Sequence, residues 1–251
     1  MSDLHTLTAA AEPTHFWFRG FRRYFSSEIR RIADGRRDLC ILDCGCGTGY
    51  NMRVLLAPYG RTFGFDLHVD SVRRARVGDR PLVQADMERI PFASGTFDLV
   101  TSFDVVQSVP DDRSAMRELA RVLTPGGHLV LNVTALDFMR GDHSDVWGEL
   151  RRYTPGRAAR LLDHAGLEPA RISFLFGSLL PLMLAVRMAQ RVQRLWRAPR
   201  GDEDLAVPPA PINALLTAIM QGEAALARHV PIPFGSSLMI VARKPRQTRS
   251  A

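Results

Sequence analysis

The densest group of residues that could do chemistry is segment 41–51, which reads ILDCGCGTGYN. An apolar run ends in the acid Asp43, and glycines follow at alternate positions, Gly45, Gly47 and Gly49. Glycine adopts positive φ easily and has no Cβ, so a ligand can lie against the backbone of such a loop. The spacing G-x-G-x-G differs from the G-x-G-x-x-G of dinucleotide-binding proteins. The pattern therefore predicts a buried strand that ends in a ligand-binding turn.

Two further acids end short apolar runs downstream. Asp66 closes segment 61–66 (RTFGFD), and Asp86 closes segment 82–86 (LVQAD). An acid at the end of a second parallel strand can accept hydrogen bonds from both hydroxyls of a ribose. Together with segment 41–51, and with an IPF turn at 90–92, this order of landmarks resembles the class I S-adenosylmethionine-dependent methyltransferases, in particular the type 11-like ones.

The resemblance implies S-adenosylmethionine as the cofactor and assigns residues to it. In the resembling family the third acid, here Asp86, takes the adenine amino group, while Met87 packs on the ring. Many relatives begin with a segment similar to 15–22, HFWFRGFR, which brings in Trp17 and Arg22. We expect Asp43 to order the glycine loop. The expected cofactor-binding residues are Asp43, Gly45, Cys46, Gly47, Gly49, Asp66, Leu67, Asp86, Met87, Phe103, Gln107, Trp17 and Arg22.

The residues expected on the acceptor side follow the fourth and fifth strands. Asp104 is expected to contact the substrate, and His143 is the first candidate for a general base because histidine titrates near neutral pH. His15 is the second candidate, from the leading helix; a surface role for His143 fits the sequence equally well.

Three neighbours, Arg151, Arg152 and Tyr153, form a second acceptor-side group. The arginines are predicted to clamp a substrate carboxylate or phosphate, since guanidinium pairs bidentately with such groups. Tyr153 is expected to bind the substrate and is also a candidate catalytic residue. The alternative is that the arginines anchor their loop through salt bridges, and a carboxylate acceptor would need no base.

These residues need a sheet whose strand ends meet along one edge. The periodicity predicts strands at 61–66, 82–86, 97–103, 128–133, 168–176 and 236–243 beside the one that enters the glycine loop, with helices at 115–123 and 156–164. We predict an α/β fold: a Rossmann-like seven-stranded sheet with helices on both faces and a helical cap inserted between the sixth and seventh strands. The resemblance implies that the last strand is antiparallel.

The chain divides into four predicted parts. Residues 1–36 hold a disordered start (1–13) and a helix (14–33) laid across the open end of the sheet as a lid, or else simply packed on the core. Residues 37–176 plus 236–245 form the cofactor-binding core, and 246–251 a disordered tail. Residues 177–235 form the cap, which walls a hydrophobic substrate pocket or forms a homodimer face; membrane-surface contact is the alternative.

Composition narrows the function classes. The apolar fraction of 46% and the charged fraction of 24% are ordinary for a globular protein. The net charge is +7, and almost all of the positive charge comes from arginines. Because these arginines are scattered along helices, nucleic acid is not the expected partner. Three cysteines, Cys40, Cys44 and Cys46, are poorly spaced for zinc, so no metal is expected. With no signal peptide recognised, we expect a cytoplasmic protein.

The predicted function is methyl transfer from S-adenosylmethionine to a small molecule, as O-methylation of a hydroxyl or carboxylate in bacterial secondary metabolism. A lipophilic quinone or polyprenyl acceptor, methylated on carbon or oxygen, is the alternative. Segment 103–107 (FDVVQ) lacks the Asn/Asp-Pro-Pro-aromatic motif of nucleic-acid amino methyltransferases, and Asp104 with Asp137 is too few acids for a metal-dependent catechol enzyme. A cofactor-binding scaffold without turnover is the hypothesis from another class.

Overall fold

The protein is seen in a computed structural model that describes residues 2–75, 81–193, 196 and 205–246; the side chains of residues 2–5 and 143 lie outside this description. Within these residues the strands are β1 (Leu39–Cys44), β2 (Gly60–Asp66), β3 (Leu82–Gln84), β4 (Phe97–Phe103), β5 (Leu123–Thr134), β6 (Glu168–Leu175) and β7 (Ser237–Arg243). They form one sheet in the order β3-β2-β1-β4-β5-β7-β6.

The first five strands are parallel, and β7 runs antiparallel between β5 and β6. The parallel strands read as nearly continuous apolar runs because helices cover both faces of the sheet. The predicted seven-stranded fold is therefore confirmed. β5 begins five residues earlier than expected, because segment 124–127 continues the strand after the helix that precedes it.

The helices are α1 (Ser2–Ala11), α2 (Phe16–Ala33), α3 (Val69–Ala75), α4 (Asp112–Val122), α5 (Asp142–Val146), α6 (Pro155–His164), α7 (Leu180–Gln193) and α8 (Ala210–Leu226). A short π-helical turn, Met52–Leu56, follows the glycine loop. Asp111 caps α4 by accepting from the amides of Arg113 and Ser114, both at 3.0 Å, and Thr154 caps α6 in the same way.

The leading helix α2 lies on a face of the sheet, so the predicted position across the open end is wrong for most of its length. Phe21, Phe25 and Ile29 are buried in one apolar cluster with strand residues such as Ile41 and Leu99. The reason is the spacing of its aromatic and aliphatic residues, which gives a wide apolar stripe that is buried only by lying flat on the sheet.

The disorder predicted for residues 1–13 is also wrong, because α1 occupies most of this segment. Ala11 and Glu12 are buried, and the side chain of Glu12 accepts a hydrogen bond from Thr48 in the glycine loop at 2.5 Å. A polar contact between distant parts of the chain orders a segment that has no local signal of its own. The predicted tail 246–251 lies outside the described residues except for Arg246.

The inserted helices extend the layer formed by α2. Gly20 lets α8 approach α2 closely, since a Cβ at that position would lie 2.5 Å from Cε of Met220. The side chain of Asn213 on α8 accepts from the amide of Phe16 at 2.8 Å and donates to the carbonyl of Thr14 at 2.9 Å. None of the described helices is long and apolar enough to cross a membrane.

Candidate active site

The glycine loop, residues 45–49, turns directly off the end of β1. Its three glycines have φ values of 75°, 53° and 70°, a region in which a side chain is strained. The amides of Gly45 and Cys46 both donate to the carbonyl oxygen of Phe65, at 2.8 and 2.9 Å. The loop is thereby tied to the end of β2, the neighbouring strand.

Each glycine of the loop has a different neighbourhood. A Cβ on Gly45 would lie 2.4 Å from the side chain of Val105, and one on Gly49 would lie 2.9 Å from Cβ of Ala75. A Cβ on Gly47 would meet no heavy atom of the described residues within 4 Å. The loop therefore packs against protein on both sides and offers bare backbone at Gly47.

Asp66 at the end of β2 faces this bare backbone. Its two carboxylate oxygens accept from the amides of Gly47 and His68, each at 2.9 Å. A carboxylate has about four acceptor positions, so each oxygen keeps one for a ligand hydroxyl. Next to it, the side chain of Leu67 is 57% exposed and offers an apolar surface at the same strand end.

Asp86 and Met87, the residues expected at the adenine, lie just beyond β3. The carboxylate of the exposed Asp86 accepts from the amide of Glu88 at 2.9 Å. Met87 is 4% exposed and belongs to the apolar core on the α4 side of the sheet. Of the two apolar candidates at this end, Leu67 is the accessible one.

Asp43 closes the site from below. It is buried at the end of β1, where its Oδ1 accepts from the hydroxyl of Thr101 on β4 at 2.7 Å. Burial raises the pKa of the Asp43 carboxyl to about 7, although the Thr101 hydrogen bond opposes the shift. The residue joins two strand ends under the loop.

Arg22 and Glu12 border the loop from the N-terminal side. A guanidinium nitrogen of Arg22 donates to the backbone carbonyl of Glu12 at 2.6 Å, and the group lies 4.8 Å from the centre of the Tyr50 ring. Its Nη1 is buried and has no hydrogen-bond partner among the described residues. Burial raises the pKa of the Glu12 carboxyl. An anion placed beside Nη1 would supply the missing acceptor.

The carboxyl edge of β4 carries the acceptor-side residue Asp104. Its φ of 59° is in the left-handed region, and Asn132 on β5 donates to its Oδ1 at 2.7 Å. The residue is accessible to solvent, while the protein packed around it raises the pKa of its carboxyl to about 6 by desolvation. Gln107, three residues on, is buried at 4% exposure.

Backbone strain concentrates at this edge. Of the four non-glycine residues with positive φ in the described chain, Asp34 ends α2; the other three, Asp104, Leu136 and Phe176, follow β4, β5 and β6. Strained residues of this kind cluster at functional sites. Trp17 packs on the Phe176 ring with centroids 4.0 Å apart, and Phe103 packs edge-on against Phe21, so the expected cofactor residues Trp17 and Phe103 line the α2 side of the same edge.

The two histidine candidates differ in position. His15 is buried, and its Nδ1 accepts from the amide of Trp17 at 3.2 Å, which makes it the N-cap of α2. This contact uses the nitrogen lone pair that a base would need at Nδ1. His143 lies in α5, and its side chain is outside the described part of the chain.

The Arg151–Arg152 pair has the structural role that sequence reasoning left as its alternative. Arg152 is buried and donates to Glu149 at 2.5 and 3.1 Å, and to the carbonyl of Ala135 at 3.0 Å. Arg151 donates to the carbonyls of Val109 and Pro110. With these donors engaged inside the protein, the predicted substrate clamp is corrected to a loop anchor.

Tyr153 belongs to the same anchor. Its hydroxyl donates to Asp112 at 2.9 Å, and burial raises its pKa. A buried tyrosine held by a carboxylate on α4 is a poor proton carrier near neutral pH, so its catalytic assignment is corrected in the same way.

The cysteines pack around the loop as free thiols. Cys44 and Cys46 are buried, Cys40 is half-buried, and burial raises the pKa of each thiol. No group of three or more His, Cys, Asp or Glu side chains suited to a metal ion occurs in the described residues.

Sequence reasoning missed Glu12, Thr48, Thr101 and Asn132. Thr101 and Asn132 lie among other polar residues of β4 and β5, such as Ser102 and His128, so the sequence does not single them out. Glu12 had no signal either, because its role depends on a contact 36 residues along the chain.

Comparisons with known proteins agree with this geometry. Residues 42–131 match the family model described as "Methyltransferase domain". A malonyl-[acyl-carrier protein] O-methyltransferase of Legionella pneumophila is 35% identical over 141 residues, 53% of this chain and 48% of that protein. A demethylmenaquinone methyltransferase of Mycolicibacterium vanbaalenii is 35% identical over 129 residues, 51% of this chain and 53% of that protein.

A solved structure shares the fold. Geranyl diphosphate C-methyltransferase of Streptomyces coelicolor, in complex with Mg²⁺, geranyl diphosphate and S-adenosyl-L-homocysteine, superposes with a TM-score of 0.55 at 17% identity, covering 87% of this chain and 77% of that one. Residues 42–131 thus form a methyltransferase domain, and the chain has the fold of the class I S-adenosylmethionine-dependent methyltransferases. The chain spans about half the length of the curated relatives that it matches.

Proposed function

We propose that the protein is a methyltransferase that binds S-adenosylmethionine at the glycine loop and transfers its methyl group to an oxygen atom of a small molecule. The observation that carries the proposal is the pairing of Gly47 with Asp66. The loop presents backbone with room for a ligand at Gly47, and the carboxylate bonded to that same backbone stands at the end of β2. This combination fits a nucleoside whose ribose hydroxyls reach Asp66.

The other half of the cofactor is an amino acid, and the N-terminal side of the loop fits it. The cofactor carboxylate would satisfy the buried Nη1 of Arg22. Glu12, Asp43 and Asp66 together make the surroundings of the loop acidic, which favours an ammonium and a sulfonium ion. We therefore add Glu12 to the expected cofactor-binding residues.

The bound cofactor would supply an activated methyl group on a positively charged sulfur, which leaves the protein the tasks of binding and alignment. Asp66 and Arg22 would hold the two ends of the cofactor. Phe103 and Trp17, on the α2 side, would keep water from the reacting centre. The acceptor would enter at the edge formed by the ends of β4 and β5.

The relatives point to two kinds of acceptor. The name of the Legionella relative describes O-methylation of malonyl-[acyl-carrier protein]; the name of the Mycolicibacterium relative describes methylation of demethylmenaquinone. A lipophilic quinone or polyprenyl acceptor is our second candidate. It is favoured by exposed apolar side chains of α7, such as Leu184 and Met188. This helix lies beside the loop after β5, since Arg187 packs against Gly141.

The test is calorimetric titration of the full chain with S-adenosylmethionine and with S-adenosylhomocysteine. We expect micromolar dissociation constants for both. Asp66→Ala should weaken binding by about 10- to 100-fold, which corresponds to losing hydrogen bonds to a charged group. Asp70→Ala is the matched control, since Asp70 is a surface acid on α3 that pairs with Arg73, and it should leave the affinity unchanged.

A second pair of variants tests the amino-acid half of the site. Arg22→Gln should weaken the binding of both ligands about tenfold, while Arg19→Gln, an exposed arginine one turn earlier, should not. Absence of binding by the wild-type chain would defeat the proposal. Binding without methyl transfer to any phenol, carboxylate or quinone would favour the scaffold hypothesis.

A further inference from the structure

Three residues with acceptor oxygens, Asp104, Gln107 and Asn132, lie near the ends of β4 and β5. Asp104 supplies a carboxylate whose Oδ1 accepts from Asn132 at 2.7 Å. The amide oxygens of Asn132 and Gln107 are both buried, and neither has a hydrogen-bond donor among the described residues. Asn132 is 0% exposed and Gln107 is 4% exposed. Buried carbonyl oxygens left without donors are uncommon and call for a specific explanation.

Among the described residues, the charged groups that act on the Asp104 carboxyl are Glu149 and Arg152. The positive charge that acts on Asp104 is the guanidinium of Arg152. This group already forms an ion pair with Glu149 at 2.5 Å. A carboxylate or phosphate placed beside Asp104 would meet like charge. A hydroxyl group would instead donate a hydrogen bond to the Asp104 carboxylate.

The position also suits a reacting group. Asp104 follows the strand whose next residue, Val105, contacts the glycine loop at Gly45, so the carboxylate stands beside the predicted cofactor site. Its accessible surface contrasts with the buried amides behind it. The left-handed backbone at this residue holds the side chain at the edge of the sheet at the cost of strain.

We propose that Asp104 is the general base of the reaction and that the acceptor is a neutral hydroxyl compound, a phenol or an alcohol, rather than a carboxylate. This inference rests on the proposed methyltransferase function. The acceptor oxygen forms the new bond to the methyl carbon, and the bond from that carbon to sulfur breaks with its electron pair going to sulfur. The hydroxyl proton passes to the Asp104 carboxylate, which later releases it to solvent.

The pKa of about 6 suits this role, because the carboxylate is ionised at neutral pH and is more basic than an ordinary aspartate. The charged groups that face it are Glu149, which raises the pKa, and Arg152, which lowers it; the amides of Asn132 and Gln107 stabilise the ionised form. Activity should fall as the pH drops through about 6.

The experiment compares two probes of matched size, 2-naphthol and 2-naphthoate, on the full chain saturated with S-adenosylhomocysteine. Binding is followed by saturation-transfer nuclear magnetic resonance and calorimetry. We expect 2-naphthol to bind at least tenfold more tightly than 2-naphthoate. In Asp104→Asn this preference should disappear while the affinity for S-adenosylhomocysteine stays within about twofold of the wild type.

Methyl transfer from S-adenosylmethionine to 2-naphthol gives the second readout. Asp104→Asn should lower kcat by 100-fold or more, within the usual range for a lost general base, and the acid limb of the pH profile should vanish. Asp104→Ser provides a second variant should the first not fold. Asp137→Asn, which removes an exposed acid from the loop after β5, is the control and should leave both readouts unchanged.

The outcomes distinguish failure of the Asp104 assignment from failure of the proposed methyltransferase function. Equal affinity for the probes, preference for 2-naphthoate, or binding of neither would overturn the assignment of Asp104. Loss of S-adenosylhomocysteine binding in Asp104→Asn alone would also overturn it, by making the residue a cofactor ligand. Failure of the wild-type chain to bind S-adenosylhomocysteine would instead defeat the proposed function itself.

Discussion

Two acids stand at the ends of adjacent strands, and they differ in what surrounds them. Asp43 at the end of β1 is 3% exposed and is closed off by Thr101 at 2.7 Å. Asp104 just after β4 is accessible and strained, with two unsatisfied amide oxygens of the described chain behind it. One aspartate is thus a buried structural residue under the cofactor loop, and the other is available to a ligand at the acceptor edge.

The difference extends to the regions around them. On the cofactor side, the amide of Gly45 donates to the carbonyl of Phe65 and the amide of Gly47 donates to the carboxylate of Asp66, within 25 residues of sequence. On the acceptor side, the site depends on residues from β4, β5 and the loop after β5, which only the tertiary fold brings together. A local, backbone-determined site tolerates little change, whereas a site assembled from side chains can alter its specificity.

The largest effect is expected at Asp43, in the stability of the protein as a function of pH. Its folded-state pKa of about 7 lies above the ordinary value of 3.8, so the folded state binds the proton more tightly than the unfolded chain. The contribution of Asp43 to stability is therefore fully present at low pH and is lost as the pH rises through about 7. The difference between these two pKa values corresponds to about 4 kcal/mol of unfolding free energy at most.

Asp43→Asn should flatten this dependence, because an amide keeps an acceptor for Thr101 and carries no charge. We expect the wild type to lose about 3 kcal/mol more than the variant between pH 5 and pH 8, measured by urea unfolding. Asp104→Asn should remove a smaller part of the slope, since its pKa is only about 6. Asp163→Asn, which changes an exposed acid at the end of α6, is the control for the pH dependence of the unfolding free energy. An unchanged pH dependence in Asp43→Asn would contradict the structural role of Asp43.

Much of this architecture could be predicted from the sequence, for a physical reason. The strand ends at Asp43 and Asp66 and the glycines between them leave local signals, because backbone conformation and burial act on the same few residues. The role of Tyr153 could not be predicted. The choice between the two roles open to Arg152 could not be made either, since an arginine that clamps a ligand and one that binds Glu149 look alike in sequence. The same applies to Glu12, whose ordering comes from a contact with the distant Thr48.

The next largest effect is expected in cofactor affinity at Gly47. Gly47→Val places a branched side chain at a φ of 53° and fills the space over the bare backbone. We expect S-adenosylhomocysteine to bind at least about 100-fold more weakly, about 2.7 kcal/mol, by calorimetry. Gly166→Val carries the same backbone strain at a φ of 68°, with open space around it, in the turn between α6 and β6; it should lower stability and leave the affinity intact.

A third prediction concerns the contact between α2 and the inserted helix α8. Gly20→Ala puts a Cβ within 2.5 Å of the Met220 side chain, which is 0% exposed, so unfolding in urea should cost about 2 kcal/mol less. Gly222→Ala on the outer side of α8 meets no described atom within 4 Å and should instead stabilise by up to about 1 kcal/mol. Equal effects of the two alanines would contradict close packing of the helices.

The smallest effect is expected on the outer face of α8, where polarity is inverted. The only charged side chain of this helix, Glu223, faces inward and accepts from the amides of Gly177 and Ser178 at 2.9 and 2.6 Å. Leu215 on the opposite face is 61% exposed, so Leu215→Gln should change the free energy of unfolding by less than about 0.5 kcal/mol. Its neighbour Leu216 packs against the α2 cluster, and Leu216→Gln should cost more than about 1 kcal/mol.

Sedimentation of the same two variants sharpens the contrast between the acceptor-side helices and the cofactor loop. If the outer face of α8 meets water, Leu215→Gln leaves the sedimentation coefficient of the protein unchanged as well as its stability. A loss of stability equal to that of Leu216→Gln, together with a change of oligomeric state, would show that a second copy of the chain covers this face. The acceptor side would then be completed by an interface, while the cofactor loop remains complete within one chain.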